Sequence, residues 1–146
     1  MKPLTLVILL LFSVFYVKLI VASDVNKIEN KIIMNMILSL TNKQYPSIYT
    51  DSQRIKKILT EQDVHFVESC SSAQIAIIQT NKELKNCNKI LIITLKYDLL
   101  KTYPDSVASF FWQKGRPNIV FIKSRLNSHN ITIGSEFNDF IEESIW

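Results

Sequence analysis

Gln74-Ile75-Ala76-Ile77-Ile78-Gln79 and Lys89-Ile90-Leu91-Ile92-Ile93-Thr94-Leu95 are two short runs, apolar between their ends and rich in isoleucine. A strand with one face in water alternates apolar and polar residues, whereas a strand covered on both faces reads as an unbroken apolar run. Two such runs in succession predict neighbouring parallel strands in the middle of a partly parallel sheet, with helices on both sides. The fold class that follows is α/β: one small domain with a mixed, mostly buried sheet flanked by helices.

The segments on either side of these runs fit that centre. Upstream, Val25, Ile28, Ile32, Met36 and Leu40 recur at helical spacing, and Ile33 and Ile37 widen the same face. Asp24 is placed to cap this helix and Pro46 ends it. Ser47-Ile48-Tyr49-Thr50 predicts a short strand, and Asp51 or Ser52 caps a second helix carrying Ile55, Ile58 and Leu59. Val64-His65-Phe66-Val67 alternates and suits a strand, where a histidine is most simply a surface residue. Downstream, residues 97–103 allow a turn or two of helix before Pro104. Residues 107–112 and 118–123 flank Gln113-Lys114-Gly115-Arg116-Pro117, which predicts a C-terminal β-hairpin with a five-residue turn. A short helix over 124–128, an extended Ile131-Thr132-Ile133 and a last helix opened by Ser135, with Phe137, Phe140 and Ile141 on one face, complete the chain.

The first 23 residues speak about address. Lys2 precedes a nearly unbroken apolar run over residues 4–16, and Val21-Ala22-Ser23 puts small residues just before Asp24. That order of charge, apolar core and small exit residues reads as a secretory signal peptide, leaving residues 24–146 as a periplasmic or secreted domain. The competing reading is a retained membrane anchor over residues 4–22, against which Lys18 argues. The whole chain carries 17 Lys and Arg against 13 Asp and Glu. Without Lys2 and Lys18 the balance is 15 to 13, a net charge of +2, which offers no electrostatic case for nucleic acid.

Cys70 and Cys87 are the two cysteines, each shortly before one of the isoleucine-rich runs. If those runs are parallel neighbours, both cysteines lie at the same end of the sheet, and an exported chain favours a disulfide between them. Two buried free thiols are the alternative. His65 and His129 are isolated from the cysteines and from each other, so no metal-ligand spacing is present. Only Gly115 and Gly134 are glycines, which excludes a glycine-rich phosphate loop. No nucleophile–base spacing is recognisable, and no cofactor is expected. Phe110, Phe111 and Trp112 are consecutive on a strand, so Phe111 points opposite to the other two, and one side is an apolar anchor if nothing covers it. Lys114 and Arg116 at the hairpin tip, with Lys123 and Arg125 at the far end of its second strand, suit an anion or acidic partner. Glu142 and Glu143 read as a solvated terminus, and Asn130-Ile131-Thr132 fits a glycosylation sequon.

Taken in order, these elements resemble the YfiR-like family of small periplasmic regulatory proteins. The family pattern has an export signal, then an amphipathic helix that starts after a glutamate and ends at a proline. Glu29 and Pro46 stand at those places, with Ile32, Ile33, Met36, Ile37 and Leu40 between them. A short strand, a helix and a cysteine before an apolar strand follow, matched here by residues 47–50, 52–60 and Cys70 before residues 75–78. The closest match is the end: Asn118-Ile119-Val120-Phe121-Ile122, Arg125-Leu126, Ile131-Thr132-Ile133 and residues 137–141. Two departures stand out. Ser71 and Ser72 follow Cys70 where the family commonly has histidine, and Phe110-Phe111-Trp112 replaces a smaller, glycine-containing segment. The resemblance implies a small α/β domain capable of self-association that restrains a membrane-bound signalling enzyme, a diguanylate cyclase, and whose active form is supported by a disulfide. The expected function is therefore an exported, non-enzymatic regulatory protein in contact with an envelope or inner-membrane signalling protein. Its partner-contact candidates are Phe110, Phe111, Trp112, Lys114 and Arg116. The alternative is a periplasmic small-ligand binding module.

Overall fold

The computed structural model of the chain describes residues 24–84, 87 and 90–145; the leader, residues 1–23, lies outside the described residues. The two apolar runs form strands β3 (Ile75–Ile78) and β4 (Leu91–Thr94), paired in parallel with Ile75 opposite Leu91 and Ile78 opposite Thr94. Around them a seven-stranded mixed sheet runs in the order β2-β1-β3-β4-β5-β6-β7. β1 (Ser47–Thr50) lies parallel to both β2 (His65–Phe66) and β3, and β4 lies parallel to β5 (Ser106–Gln113). β5 turns back antiparallel into β6 (Arg116–Ile122), whose root pairs in parallel with β7 (Ile141–Glu142). The fold is a small α/β domain with a mixed sheet flanked by helices and a hairpin near its C-terminus.

One face of the sheet carries the main core. Helix α1, residues 24–41, presses Ile33, Met36, Ile37 and Leu40 onto Ile75, Ile77 and Ile93, and α2 (Gln53–Leu59) adds Ile55 and Leu59. The buried stripe of α1 is centred one residue away from the predicted one. Ile28 is 48% exposed, and Glu29 takes the inward position instead, its side chain 2% exposed and ion-paired with Arg54 of α2. At about 100° per residue Ile28 falls well off the line through Ile33, Met36 and Leu40, so the wet flank is where geometry puts it. Asp24 is already helical rather than a cap. At the other end Asn42, in the left-handed region at φ 50°, donates its N–H to Leu38 O at 2.9 Å and closes the helix.

The opposite face is covered differently. Ala76, Ile78 and Ile92 pack under Cys70, Cys87, Ile90, Leu99 and Tyr103. Here the cover comes from α3 (Leu99–Thr102) and from Leu84, Cys87 and Ile90 between β3 and β4. Cys70 and Cys87 form the disulfide, with Cα atoms 5.2 Å apart. The parallel register places both half-cystines at the strand-entry end of β3 and β4, so the bridge fastens that connection to the sheet.

The end of the chain departs from expectation. In place of a terminal amphipathic helix, Ser135–Phe140 forms a 3-10 helix and Ile141–Glu142 forms β7. A helix of so few residues gains little from its own hydrogen bonds, whereas the free edge of β6 offers ladder partners to Ile141 and Glu142. Phe137 is buried against Phe121, while Phe140 is 40% exposed. α4 (Lys123–Ser128) connects the hairpin to this segment and buries Leu126.

Candidate functional site

The hairpin is built by alternation. Phe110 is 1% exposed and Phe121 fully buried in the main core, and the half-buried Trp112 packs on the same side, its ring centroid 6.2 Å from that of Phe110. Phe111 points to the other face, against Leu100, Val120 and Ile122, with Tyr97 edge-on at 5.7 Å. Phe110 is therefore a core residue rather than a contact candidate, and Phe111 is partly engaged within the domain. The exposed portion is Gln113 to Pro117, with Trp112 at its base.

The turn is shorter than predicted. Only Lys114 and Gly115 lie between the paired residues Gln113 and Arg116, and both have positive φ, 49° and 73°. This is the two-residue geometry whose twist matches that of the strands, and glycine supplies one of its two left-handed positions without strain. Pro117 belongs to β6, opposite Trp112. It is tolerated because β7 reaches only Phe121 and Ile122, so no neighbour there asks for its missing N–H. Beyond Ser109 on one strand and before Phe121 on the other, the hairpin is thus a two-stranded ribbon projecting past the sheet, with Lys114 and Arg116 at its exposed end.

Of the four cations grouped at the two ends of the hairpin, those at the root are committed within the fold. Lys123 pairs with Glu143 at 2.6 Å. The Arg125 guanidinium donates to Leu100 O at 3.0 Å, Tyr103 O at 3.2 Å, and Ser106 O and Oγ at 2.7 and 2.9 Å. Arg125 therefore ties the end of α3 to the start of β5. Burial pushes its pKa down from the usual value, against the raising effect of the Asp105 charge. Glu142 also departs from the picture of a solvated terminus, since it accepts a hydrogen bond from the Tyr97 hydroxyl at 3.1 Å.

A second location deserves comparison because of topology. β1 sends its connection to β2 on one side while β3 leads to β4 on the other, so the crevice beyond the carboxyl ends of β1 and β3 is a topological switch point, where open α/β sheets hold ligands. Here the chain fills that position itself. The Asp51 carboxylate accepts the N–H groups of Gln79 at 2.7 Å and Thr80 at 2.9 Å, as well as the Thr80 hydroxyl. Ser52 caps α2, accepting from the Ile55 N–H, and its hydroxyl donates to the Gln79 side chain. The Tyr103 hydroxyl lies 2.8 Å from Thr80 O and 2.6 Å from Lys82 O, sharing its one proton between them. Burial first, then the Asp51 charge and Tyr49, raise the Tyr103 pKa above its usual value. Reading Asp51 and Ser52 as competing caps concealed this: Ser52 does the capping, which leaves Asp51 free to bind the β3 exit.

An open groove of about 580 Å³ lies between the end of α1 and the segment after α4, lined by Leu38, Ser39, Asn42, Asn130, Thr132 and Glu136 among others. Ser39 Oγ accepts the Gly134 N–H across it at 2.9 Å. Among the described residues no three His, Cys, Asp or Glu side chains stand close enough together to hold a metal ion, and no helix is long and apolar enough to cross a membrane. No family model matches this chain, and neither does any curated protein.

Proposed function

We propose that this chain is an exported, non-enzymatic regulatory protein that modulates a membrane-bound signalling protein, of the diguanylate cyclase type, by direct contact through the hairpin tip. The observation that carries the reading is the ribbon: it extends beyond its sheet neighbours, presents Trp112 at its base and carries two exposed cations that have no ion pair among the described residues. The filled switch point supports contact over small-ligand binding, because the backbone donors that would cradle an anionic ligand already hold Asp51. The disulfide suits the exported address that the leader suggests. The resemblance to the YfiR-like family supplies the class of partner.

Trp112→Ala tests the surface. In-cell crosslinking of the tagged, exported chain is expected to capture a membrane signalling protein, and the variant to capture at least several-fold less while keeping a cooperative melt. Undiminished capture by a folded Trp112→Ala chain contradicts the assignment. A small-ligand module remains the second reading, favoured by the open groove beside the end of α1. A thermal-shift screen separates the two, since a specific ligand raises the melting temperature by mass action.

A further inference from the structure

The two edges of the projecting ribbon are unequal. On the β4 side, β5 has a strand neighbour only as far as Ser109, opposite Thr94, where β4 ends, yet β5 runs on to Gln113. In a two-residue hairpin the residues flanking the turn, Gln113 and Arg116, exchange both backbone hydrogen bonds, so the next pair, Trp112 and Pro117, exchanges none. The Trp112 N–H and C=O therefore point away from β6, toward the side that β4 no longer occupies. On the β6 side the corresponding outward position is Pro117, which has no N–H to give. One edge of the ribbon offers both a donor and an acceptor for a further strand, and the other is blocked at the same level.

Charge selects what could pair there. No acidic residue occurs anywhere from Ser106 to Ser135, and the tip carries Lys114 and Arg116. A second copy of the chain would bring the same two cations to the junction, and Glu142 and Glu143 are already engaged with Tyr97 and Lys123. We infer that the β5 edge at Trp112 receives an extended, acidic segment of the partner as an added strand, with Lys114 and Arg116 reading its carboxylates. The inference rests on the hairpin being the contact surface and names how it is used.

The test titrates the full-length chain with two labelled, end-blocked hexapeptides, one alternating valine with glutamate and one alternating valine with lysine. Fluorescence anisotropy reads affinity, and hydrogen exchange locates the binding. The acidic peptide is expected to bind at least tenfold more tightly than the lysine peptide and to slow exchange of the Trp112 amide. Trp112→Ala, which keeps the N–H, weakens binding but preserves the preference, whereas Trp112→Pro abolishes it. Protection of the Ser109 and Val120 amides, which face each other across the hairpin, verifies that the hairpin of each variant is intact. Lys114→Glu with Arg116→Glu reverses the preference. Equal binding of both peptides, or of neither, overturns strand addition; the tip cations then serve only to keep an open edge from aggregating. If Trp112→Ala still loses partner capture in that case, the contact surface stands and only its mode fails. Binding of neither peptide together with self-association that Trp112→Pro abolishes would assign the edge to a second copy.

Discussion

The root and the tip of the hairpin are cut from the same two strands and have opposite surroundings. At the root, Phe110, Val120, Phe121 and Ile122 are buried, β4 and β7 pair the outer edges, and Arg125 and Ser106 bind the floor to α3. At the tip the outer neighbours have stopped, every residue from Gln113 to Pro117 is exposed, and the side chains do little for the fold. The contrast teaches that within one supersecondary unit the same alternation can anchor one end and present the other. Residue type alone does not separate them: Phe110 and Trp112 are two positions apart on the same side of one strand, yet one is core and the other is the base of an exposed ribbon.

Changes at the root should be the costliest. Phe110→Ala removes a fully buried ring and is expected to destabilise by about 3–5 kcal/mol, read as a shift in the denaturant midpoint. A cost below about 1 kcal/mol would erase the distinction between root and tip. Arg125→Ala leaves the carbonyls of Leu100, Tyr103 and Ser106 without their shared donor and should cost about 2 kcal/mol in the same measurement. The floor beneath the root gives an alkaline signature. Because the Tyr103 pKa is raised in the folded chain, its contribution is fully present below the unfolded value of about 10 and is lost as pH rises through the folded value. Stability should therefore fall above about pH 10, and Tyr103→Phe should flatten that fall in a urea titration carried out across pH. At the tip, Lys114→Ala with Arg116→Ala should change stability by no more than about 0.5 kcal/mol. The same pair should reduce partner capture, which a quantitative crosslinking assay reads.

How much of this is visible in the sequence follows from how local each determinant is. β3 and β4 emerge nearly at their observed bounds because strands buried on both faces announce themselves as apolar runs. The disulfide is legible for a related reason: two cysteines that enter parallel neighbours must lie at the same end. Closing 17 residues of separation, it is worth about 3 kcal/mol in the chain-entropy model. What sequence reading misses depends on partners distant in the chain. The inward Glu29 has its ionic partner on α2 in Arg54, Asp51 binds the β3 exit while Ser52 caps α2, and Ile141 pairs with the edge of β6. The same holds for the candidate site. Aromatic alternation marks the hairpin, but whether Phe110, Phe111 or Trp112 is covered depends on where β4 and α3 stop, which no local pattern encodes.

The proposed contact is tested most directly by placing a photo-crosslinking side chain at Gln113 in one chain and at His65 in another. His65 is also exposed but lies on β2, at the far edge of the sheet. With both chains exported and irradiated in cells, the account predicts capture of one membrane signalling protein from position 113 and none of it from position 65. Capture of that protein from position 65 alone, or equally from both positions, would contradict the hairpin tip as the regulatory surface.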